Sequence, residues 1–169
     1  MPSLRDLPQK YPELFKSEVY PFECGDGWYH LLETLLSYIK HTLGRHREVQ
    51  RIKQRLLQEG KNLAEYQWIE DYFRDHPIDP LATFEIYQIK EKFGGLRFYW
   101  GTEVASEEIS RISGAVDLAE SLSTCFCETC GSNTEVATRC SDGKNWIRTL
   151  CREHRQQDEN HPSLSSGTN

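Results

Sequence analysis

The chain has 169 residues, which is enough for one compact domain with a small appendage but too few for two full-sized cores. Its 4 Trp, 8 Tyr and 7 Phe distinguish it from disordered chains, which are poor in aromatic residues. The formal net charge of -6 argues against a protein that coats nucleic acid, because such proteins carry a basic surface. No apolar run reaches the roughly 20 residues that span a bilayer, and no signal-peptide core is present, so we expect a soluble, cytoplasmic protein without membrane contacts.

The N-terminal half is predicted to be helical. Prolines at positions 2, 8, 12 and 21 leave room for only a short helical turn, near Pro12 to Phe15. A long helix is predicted to begin at Asp26, which is a suitable N-cap. It is followed by apolar residues at helical spacing, which form a wide stripe: Trp28, Leu31, Leu32, Leu35, Leu36 and Ile39.

Two further helices are predicted after Gly44. The second helix ends at Gly60, and its apolar side consists of Val49, Ile52 and Leu56. Its opposite side carries arginines at four-residue steps: Arg47, Arg51 and Arg55. These arginines form either a solvated face or a contact for an acidic protein or nucleic acid. The third helix runs from Leu63 to Phe73 and ends before Pro77.

Between Thr83 and Trp100 the hydrophobic period changes to two, which predicts a β-hairpin with its turn at Gly94-Gly95. This turn would pair Phe93 with Leu96, Lys92 with Arg97, Glu91 with Phe98, and Lys90 with Tyr99. The predicted core face contains Ile89, Phe93, Leu96, Phe98 and Trp100. The opposite face contains Gln88, Lys90, Lys92, Arg97 and Tyr99. A fourth helix follows, with Ser106 as its N-cap and with a buried side formed by Ile109, Ile112, Val116 and Ala119.

The C-terminal segment is predicted to bind zinc. Its spacing, C-x2-C followed by C-x2-H after twenty intervening residues, is typical of a tetrahedral zinc site. The predicted ligands are Cys127, Cys130, Cys151 and His154. Cys125 or Cys140 could replace one of these ligands if the local register differs. The alternative to a zinc site is a disulfide with the other thiols unpaired, which a reducing cytosol disfavours. Four protein ligands leave no open coordination position, so we expect one structural zinc ion per chain.

The surrounding residues predict a treble-clef-like module. Gly131 suits the tight turn of a zinc knuckle. A short hairpin around Ser141-Asp142-Gly143 is predicted to join residues 134–140 to 146–150, and a helix after it supplies Cys151 and His154. The predicted fold class is therefore α+β, in which a helical N-terminal half packs on the β-hairpin. We expect this domain to span residues 1–123, the zinc module 124–156, and a flexible tail 157–169.

Three strings in this order resemble a family of short proteins from tailed bacteriophages and prophages. They are Phe22-Glu23-Cys24-Gly25-Asp26-Gly27-Trp28-Tyr29, the segment from Lys90 to Tyr99, and the C-x2-C-Gly knuckle with Trp146 and Thr149-Leu150-Cys151-x2-His154. The resemblance covers roughly residues 11–155. It implies expression in the cytoplasm of a bacterial host but no particular activity. Some phage accessory proteins of this size counter host defence by capturing nucleotide signals. Similar size and origin associate this chain with them but do not assign it that activity.

Positive charges cluster on the polar face of the hairpin and are predicted to need a negatively charged partner. Lys92 and Arg97, placed opposite each other, would repel, and Lys90 adds a third positive charge beside the ring of Tyr99. Compensation comes either from the acids Glu23 and Asp26 or from an external anion such as phosphate, and the fork of Arg97 suits both. A solvated sheet face or an internal ion-pair network is the alternative interpretation.

No catalytic motif is recognised: the sequence lacks a phosphate loop, HExxH, a nucleophile elbow and a dinucleotide fingerprint. Cys24 with His30, and Glu23 with Asp26, are interpreted as coincidental pairs rather than catalytic ones. The prediction is a non-enzymatic, zinc-containing phage-type protein that binds an anionic, nucleotide-like ligand or a host protein to counter host defence. The alternative is a zinc-stabilised nucleic-acid-binding or nuclease-associated factor, although the acidic net charge disfavours extensive nucleic-acid binding.

Overall fold

A computed structural model describes residues 2–16, 22–140 and 146–160 of the chain. Over these residues the fold is mixed α+β, with seven α-helices and two small sheets. The helices are α1 (Leu7–Lys10), α2 (Tyr29–Leu43), α3 (Arg45–Gln58), α4 (Gln67–Asp75), α5 (Pro80–Thr83), α6 (Glu107–Ser123) and α7 (Arg152–Asn160). The strands are β1 (Phe22–Glu23), β2 (Glu85–Lys92), β3 (Gly95–Gly101), β4 (Ala137–Cys140) and β5 (Ile147–Leu150).

The larger sheet has the strand order β1-β2-β3. Strand β1 runs parallel to β2 and pairs Glu23 with Lys90, while β2 and β3 form the predicted antiparallel hairpin. Helix α6 lies along the free edge of β3, where the backbone N–H of Leu96 donates to the Ser123 hydroxyl (2.9 Å) and that of Phe98 donates to the Glu120 carboxylate (2.8 Å). The helix therefore satisfies donors that an open sheet edge would expose.

The hairpin turn lies one residue earlier than predicted. Phe93 and Gly94 form the turn, with φ angles of 56° and 77°, and Lys92 pairs with Gly95. The predicted pairing is therefore wrong, because Lys90 faces Arg97 and Lys92 does not. Because the turn lies one residue earlier, each residue of β2 pairs with a residue two positions before its predicted partner on β3. Side chains alternate between the two faces of a strand, so a shift by two leaves them on their predicted faces. Phe93 is the exception: it leaves the predicted core face and its side chain is 70% exposed.

The main core lies between α2, α6 and the larger sheet. As predicted, the stripe of α2 and the inner face of the hairpin belong to one buried cluster, which includes Trp28, Leu32, Leu35, Ile39, Leu96 and Phe98. Trp100 is partly buried and stacks on Phe84, with ring centroids 5.2 Å apart. A bulge between Ile86 and Gln88 lets Ile86 point into this core.

A second, smaller core joins α3 to α4. The predicted third helix is a 3-10 turn from Leu63 to Tyr66 followed by α4, and its buried residues with those of α3 are Val49, Leu56 and Ile69. Two of the predicted stripe arginines form intramolecular ion pairs, Arg47 with Asp79 (2.8 Å) and Arg51 with Glu48 (3.3 Å). These pairs fit the solvated interpretation of the stripe.

The start of the long helix differs from the prediction. A 3-10 turn spans Asp26–Trp28 and continues into α2, and Gly25 precedes this turn. The Asp26 carboxylate does not cap α2 but accepts the backbone N–H of Leu4 at 2.8 Å, because the N-terminal segment folds back over it. The N-cap of α6 is as predicted: the Ser106 hydroxyl accepts the N–H of Ile109.

The described part of the chain ends in helix α7. Helix α7 extends past residue 157, where the tail was expected to begin, and its Asp158 pairs with Arg148 at 3.1 Å. The predicted turn at Ser141-Asp142-Gly143 and the rest of the predicted tail lie outside the described residues. Among the helices described, none is long and apolar enough to cross a bilayer.

Candidate metal centre and its docking site

The four predicted zinc ligands lie together at the C-terminal end of the fold. Ligand atoms of Cys127, Cys130, Cys151 and His154 all lie within 4.8 Å of one another. The Cys130 and Cys151 sulfurs are 3.9 Å apart, and His154 Nδ1 lies 3.6 Å from the Cys127 sulfur and 3.2 Å from that of Cys151. A zinc ion at the centre of a tetrahedron would place sulfur atoms about 3.8 Å apart, and sulfur and nitrogen about 3.6 Å apart. The cluster therefore has the size of a zinc site.

Two separate segments supply these ligands. Cys127 and Cys130 lie on a tight turn that Gly131 completes with a φ of 75°, and the N–H of Gly131 donates to the Cys127 carbonyl at 2.8 Å. Cys151 directly follows β5, and His154 lies in the first turn of α7. Strands β4 and β5 pair antiparallel, as predicted, and connect the two segments.

The electrostatics of the cluster suit a cation. Although burial opposes ionisation, backbone N–H groups of Cys151, Cys130 and Thr129 lower the pKa of the Cys127 thiol below its ordinary value. Burial, with the neighbouring Cys127 and Cys151 sulfurs, raises the pKa of Cys130 to about 11. Burial and the neighbouring sulfurs oppose ionisation of these thiols. A divalent cation would offset both effects, because it stabilises every thiolate that binds it. The donor set, three sulfurs and one imidazole nitrogen, is one of those found in structural zinc sites.

The remaining cysteines lie apart from this cluster within the described chain. Cys125 and Cys140 are exposed, and neither belongs to the group of potential ligands. Burial, with nearby carboxylates that include Glu128, raises the pKa of Cys24 to about 12, so its thiol is neutral. The His30 side chain is 82% exposed and pairs with Glu33, which supports the interpretation of Cys24 and His30 as a coincidental pair.

The glycine-rich string before α2 packs against the turn that carries Cys127 and Cys130. The backbone N–H of Gly27 donates to the Glu128 carbonyl at 2.9 Å. A Cβ atom on Gly27 would lie 2.2 Å from the Cys127 carbonyl oxygen, and one on Gly25 would lie 2.1 Å from that of Glu128. Both distances are too short for any side chain, so the close approach of the two backbones requires glycine at both positions. The fully buried Trp28 adds a side-chain contact by donating from Nε1 to the Ser123 and Phe126 carbonyls.

The tip of the β2-β3 hairpin also contacts strands β4 and β5. The Thr149 hydroxyl donates to the Gly94 carbonyl at 2.5 Å, and a Cβ atom on Gly94 would lie 2.5 Å from the Thr138 methyl group. Glu91 accepts the N–H of Gly94 (2.6 Å) and the indole N–H of Trp146 (3.1 Å). This contact fixes Gly94 at the tip and explains why the turn does not use Gly94-Gly95.

A buried ion pair stiffens the module below this contact. Glu128 is only 6% exposed, and Arg148 binds one of its oxygens at 2.6 Å and Asp158 at 3.1 Å. Burial raises the pKa of Glu128 even though Arg148 favours its ionised form. The pair joins the knuckle, β5 and α7, which are the three elements around the ligand cluster.

The residues predicted for the anion site divide between two places. Lys90, Arg97 and Tyr99 lie on the outer face of the larger sheet, with Lys90 directly opposite Arg97 and over the Tyr99 ring at 5.0 Å. Glu23 joins this face from β1 and accepts a hydrogen bond from Gln88 at 2.7 Å. Lys92 lies at the end of β2 over the Phe93 ring.

Neither predicted internal acid holds Arg97. Asp26 binds the N-terminal segment, and the carboxylate nearest to Arg97 among the recorded ion pairs is Glu120 of α6, at 3.7 Å. Sequence analysis missed this contact because the position of α6 along the β3 edge is a tertiary feature. It also missed the role of Gly25 and Gly27, although two glycines flanking a single residue are a signal for close backbone approach.

Comparison of the chain with known proteins found no matching family model, no matching curated protein and no matching solved structure.

Proposed function

We propose that this protein is a non-enzymatic binding protein, stabilised by one structural zinc ion, that captures a phosphate-bearing, nucleotide-like ligand on the outer face of its larger sheet. Cys127, Cys130, Cys151 and His154 would hold the zinc in a treble-clef-like module. Because four protein ligands complete the tetrahedron, the ion would have no position for substrate, and its contribution would be to folding.

The observation that carries the ligand proposal is the pairing of Lys90 with Arg97 across β2 and β3. Two like charges at opposed positions destabilise a sheet unless an anion lies between them or nearby. Glu23 lies beside Lys90 in the β1–β2 register without forming an ion pair with it, while Arg97 donates to the Leu96 carbonyl at 2.6 Å and lies 3.7 Å from Glu120, which is a loose contact. The side chain of Arg97 is 39% exposed, so its guanidinium remains accessible to an external group.

The neighbouring residues favour a ligand with both a phosphate and an aromatic group. Phosphate binds an arginine fork through two parallel hydrogen bonds and binds a lysine as a point charge. The Tyr99 ring is 40% exposed, and a base would stack on it by displacing the Lys90 ammonium, which lies over the ring at 5.0 Å. Glu23 at the rim limits the number of negative charges that the face can accept, which favours one or two phosphates over a polyanion.

The resemblance to phage proteins supplies a biological setting for the proposal. A protein that binds a nucleotide without turning it over would remove a signal from the host cytoplasm, which is one way to counter host defence. The net charge of -6 supports a small ligand over a nucleic acid, because binding to nucleic acid depends on counterion release by a basic surface.

The test is calorimetric titration of the zinc-loaded protein with inorganic pyrophosphate, AMP and a duplex DNA at low salt. Binding of AMP or pyrophosphate that is weakened at least tenfold by Arg97→Gln and Lys90→Gln, with an unchanged melting temperature, is expected. The matched control is Lys61→Gln, an exposed lysine in the loop after α3, which should alter binding less than twofold. Absence of binding to both probes would overturn the proposal. Binding to DNA alone would favour the nucleic-acid-binding alternative.

A further inference from the structure

Phe93, at the tip of the β2-β3 hairpin, has a conformation and an exposure that the fold does not require. Its φ angle of 56° lies in the left-handed region, where a bulky side chain is unfavourable and asparagine or glycine is usual. Its side chain is 70% exposed. The contacts of the tip with β4 and β5 involve Gly94, so they account for the turn but not for a phenylalanine at position 93. A strained, exposed aromatic residue points to a binding role.

The contact of Phe93 with Lys92 repeats a contact found elsewhere on the same hairpin. The Lys92 ammonium lies over the Phe93 ring at 5.4 Å, and the Lys90 ammonium lies over the Tyr99 ring at 5.0 Å. Both rings are exposed. The hairpin therefore carries two units of one kind, each an aromatic ring with a cation beside it. A nucleotide uses both components, because its base stacks on a ring and its phosphate binds a cation.

The spacing of the two units suits neighbouring nucleotides. Lys90 and Lys92 are two residues apart on β2, so they lie on the same face and are separated by about 7 Å along the strand. This separation is close to the length of one nucleotide in an extended single strand. Arg97 faces Lys90 from β3, and its guanidinium can bind a phosphate that bridges two nucleosides.

Stacking of a base would displace the ammonium that lies over each ring. An exposed cation–π contact contributes less than the stacking of a base on an aromatic ring, so this exchange favours binding. The displaced ammonium groups stay on the same face of the sheet, where they can pair with the phosphate. The exchange therefore costs the face none of its positive charge.

The charge of this face suits a ligand with few phosphates. Three cations, Lys90, Lys92 and Arg97, are opposed by two carboxylates, Glu23 and Glu120, which leaves a surplus of one positive charge. A phosphodiester that joins two nucleosides carries one negative charge. A longer strand would bring further negative charges to a chain whose net charge is -6.

We propose that the hairpin binds a dinucleotide, with one base on the Tyr99 ring, the next base on the Phe93 ring, and the joining phosphate on the three cations of this face. This inference rests on the proposed function, because it uses the same anion face. It adds a second base to the ligand and names Phe93 as the residue that holds it.

The experiment is calorimetric titration of the zinc-loaded full chain with the dinucleoside monophosphate ApA and with the methyl ester of AMP. The two ligands have the same phosphodiester charge and differ in the second nucleoside, and ApA is expected to bind at least tenfold more tightly. Phe93→Asn removes the ring and suits the left-handed backbone, so the melting temperature should stay unchanged or rise. This variant should bind ApA at least tenfold more weakly and the methyl ester within twofold of the wild type.

A control variant separates the role of Phe93 from that of any exposed ring. Tyr87→Thr removes an exposed aromatic side chain from the other end of the hairpin, where Tyr87 lies against Gly101, and should change ApA binding less than twofold. If neither ApA nor the methyl ester binds, the proposed function fails and this inference fails with it. If the methyl ester binds as tightly as ApA, or if Phe93→Asn binds ApA as the wild type does, the site for the second base alone is overturned.

Discussion

Gly27 and Glu128 are joined by a backbone hydrogen bond of 2.9 Å, although 100 residues lie between them in the sequence. This hydrogen bond holds the turn of Cys127 and Cys130 against the turn that precedes α2, while the Thr149 hydroxyl binds β5 to the hairpin tip at Gly94. The Gly25–Gly27 turn, the tip of the β2-β3 hairpin and the Cys127–Cys130 turn with β5 therefore meet in one interface.

Replacement of Gly27 tests this interface. Gly27→Ala should destabilise the protein by more than about 2 kcal/mol, because its Cβ atom would overlap backbone atoms that cannot move away. Gly114→Ala is the matched control: it lies in α6 with no atom within 4 Å of the added Cβ, and it should stabilise the helix by up to about 1 kcal/mol. Chemical unfolding of both variants provides the comparison, and equal stability of the two would contradict the docking account.

Ser123 tests the protection of the β3 edge. Its fully buried hydroxyl accepts the N–H of Leu96 and donates to the Glu120 carbonyl, so Ser123→Ala leaves a buried donor without a partner. The expected cost is about 1–3 kcal/mol. Ser121→Ala removes an exposed hydroxyl from the same helix and should cost less than about 0.5 kcal/mol. Amide hydrogen exchange at Leu96 should accelerate in the first variant alone; unchanged protection there would show that another group satisfies this donor.

Leu36 tests the main core. It is fully buried on α2, and Leu36→Ala should reduce the free energy of unfolding by about 2–5 kcal/mol. Leu118, on α6, is 60% exposed, and Leu118→Ala should cost less than about 0.5 kcal/mol. Similar losses for the two variants, measured by urea unfolding, would mean that Leu118 is covered in solution, for instance by a second chain.

Glu13 provides a test of pH dependence. Although partial burial opposes its ionisation, the hydrogen bond from Lys40 (2.7 Å) lowers the pKa of Glu13 below its ordinary value of 4.5. The ion pair therefore stabilises the fold at pH values above 4.5. This contribution is lost as the pH falls through the lowered pKa of Glu13. Because Lys40 is 49% exposed, Glu13→Gln should cost only about 0.5–1 kcal/mol at pH 7.

The Glu13→Gln measurement compares melting temperatures of variant and wild type at several pH values between 7 and 3 (about the range in which carboxylates titrate). The difference between them should shrink toward zero at the acid end. Glu103→Gln, an exposed glutamate in the loop before α6, should show no difference at either end. A Glu13→Gln difference that grows as the pH falls would contradict the lowered pKa.

Much of the local structure could be predicted from the sequence, because it depends on residue spacing. The apolar stripe of α2, the alternation in β2 and β3, and the Cys and His spacing each identify an element without reference to the rest of the chain. The turn at Phe93-Gly94 could not be predicted in this way, since the contact of Gly94 with Thr138 and Thr149 decides it. A bulky residue at positive φ is unfavourable alone and persists only where tertiary contacts impose it.

The charged residues were harder to assign than the metal ligands for a related reason. Ligand spacing is nearly fixed by the geometry of zinc, whereas a carboxylate can reach an arginine from any nearby element. The partner of Arg97 is Glu120 rather than Glu23 or Asp26, because α6 lies against β3. Asp26 had the sequence features of a helix cap. The N-terminal segment folds back over it, however, and the backbone N–H of Leu4 donates to its carboxylate.

The central claim, that Cys127, Cys130, Cys151 and His154 hold one structural zinc ion, is tested most directly by the metal content of the purified chain. Native mass spectrometry and elemental analysis of protein prepared without chelators should give one zinc per chain. Cys151→Ser should lose the metal and unfold the segment after residue 124, while Cys125→Ser and Cys140→Ser should retain it. Metal-free wild-type protein that remains folded, or loss of zinc from Cys125→Ser or Cys140→Ser, would contradict the account.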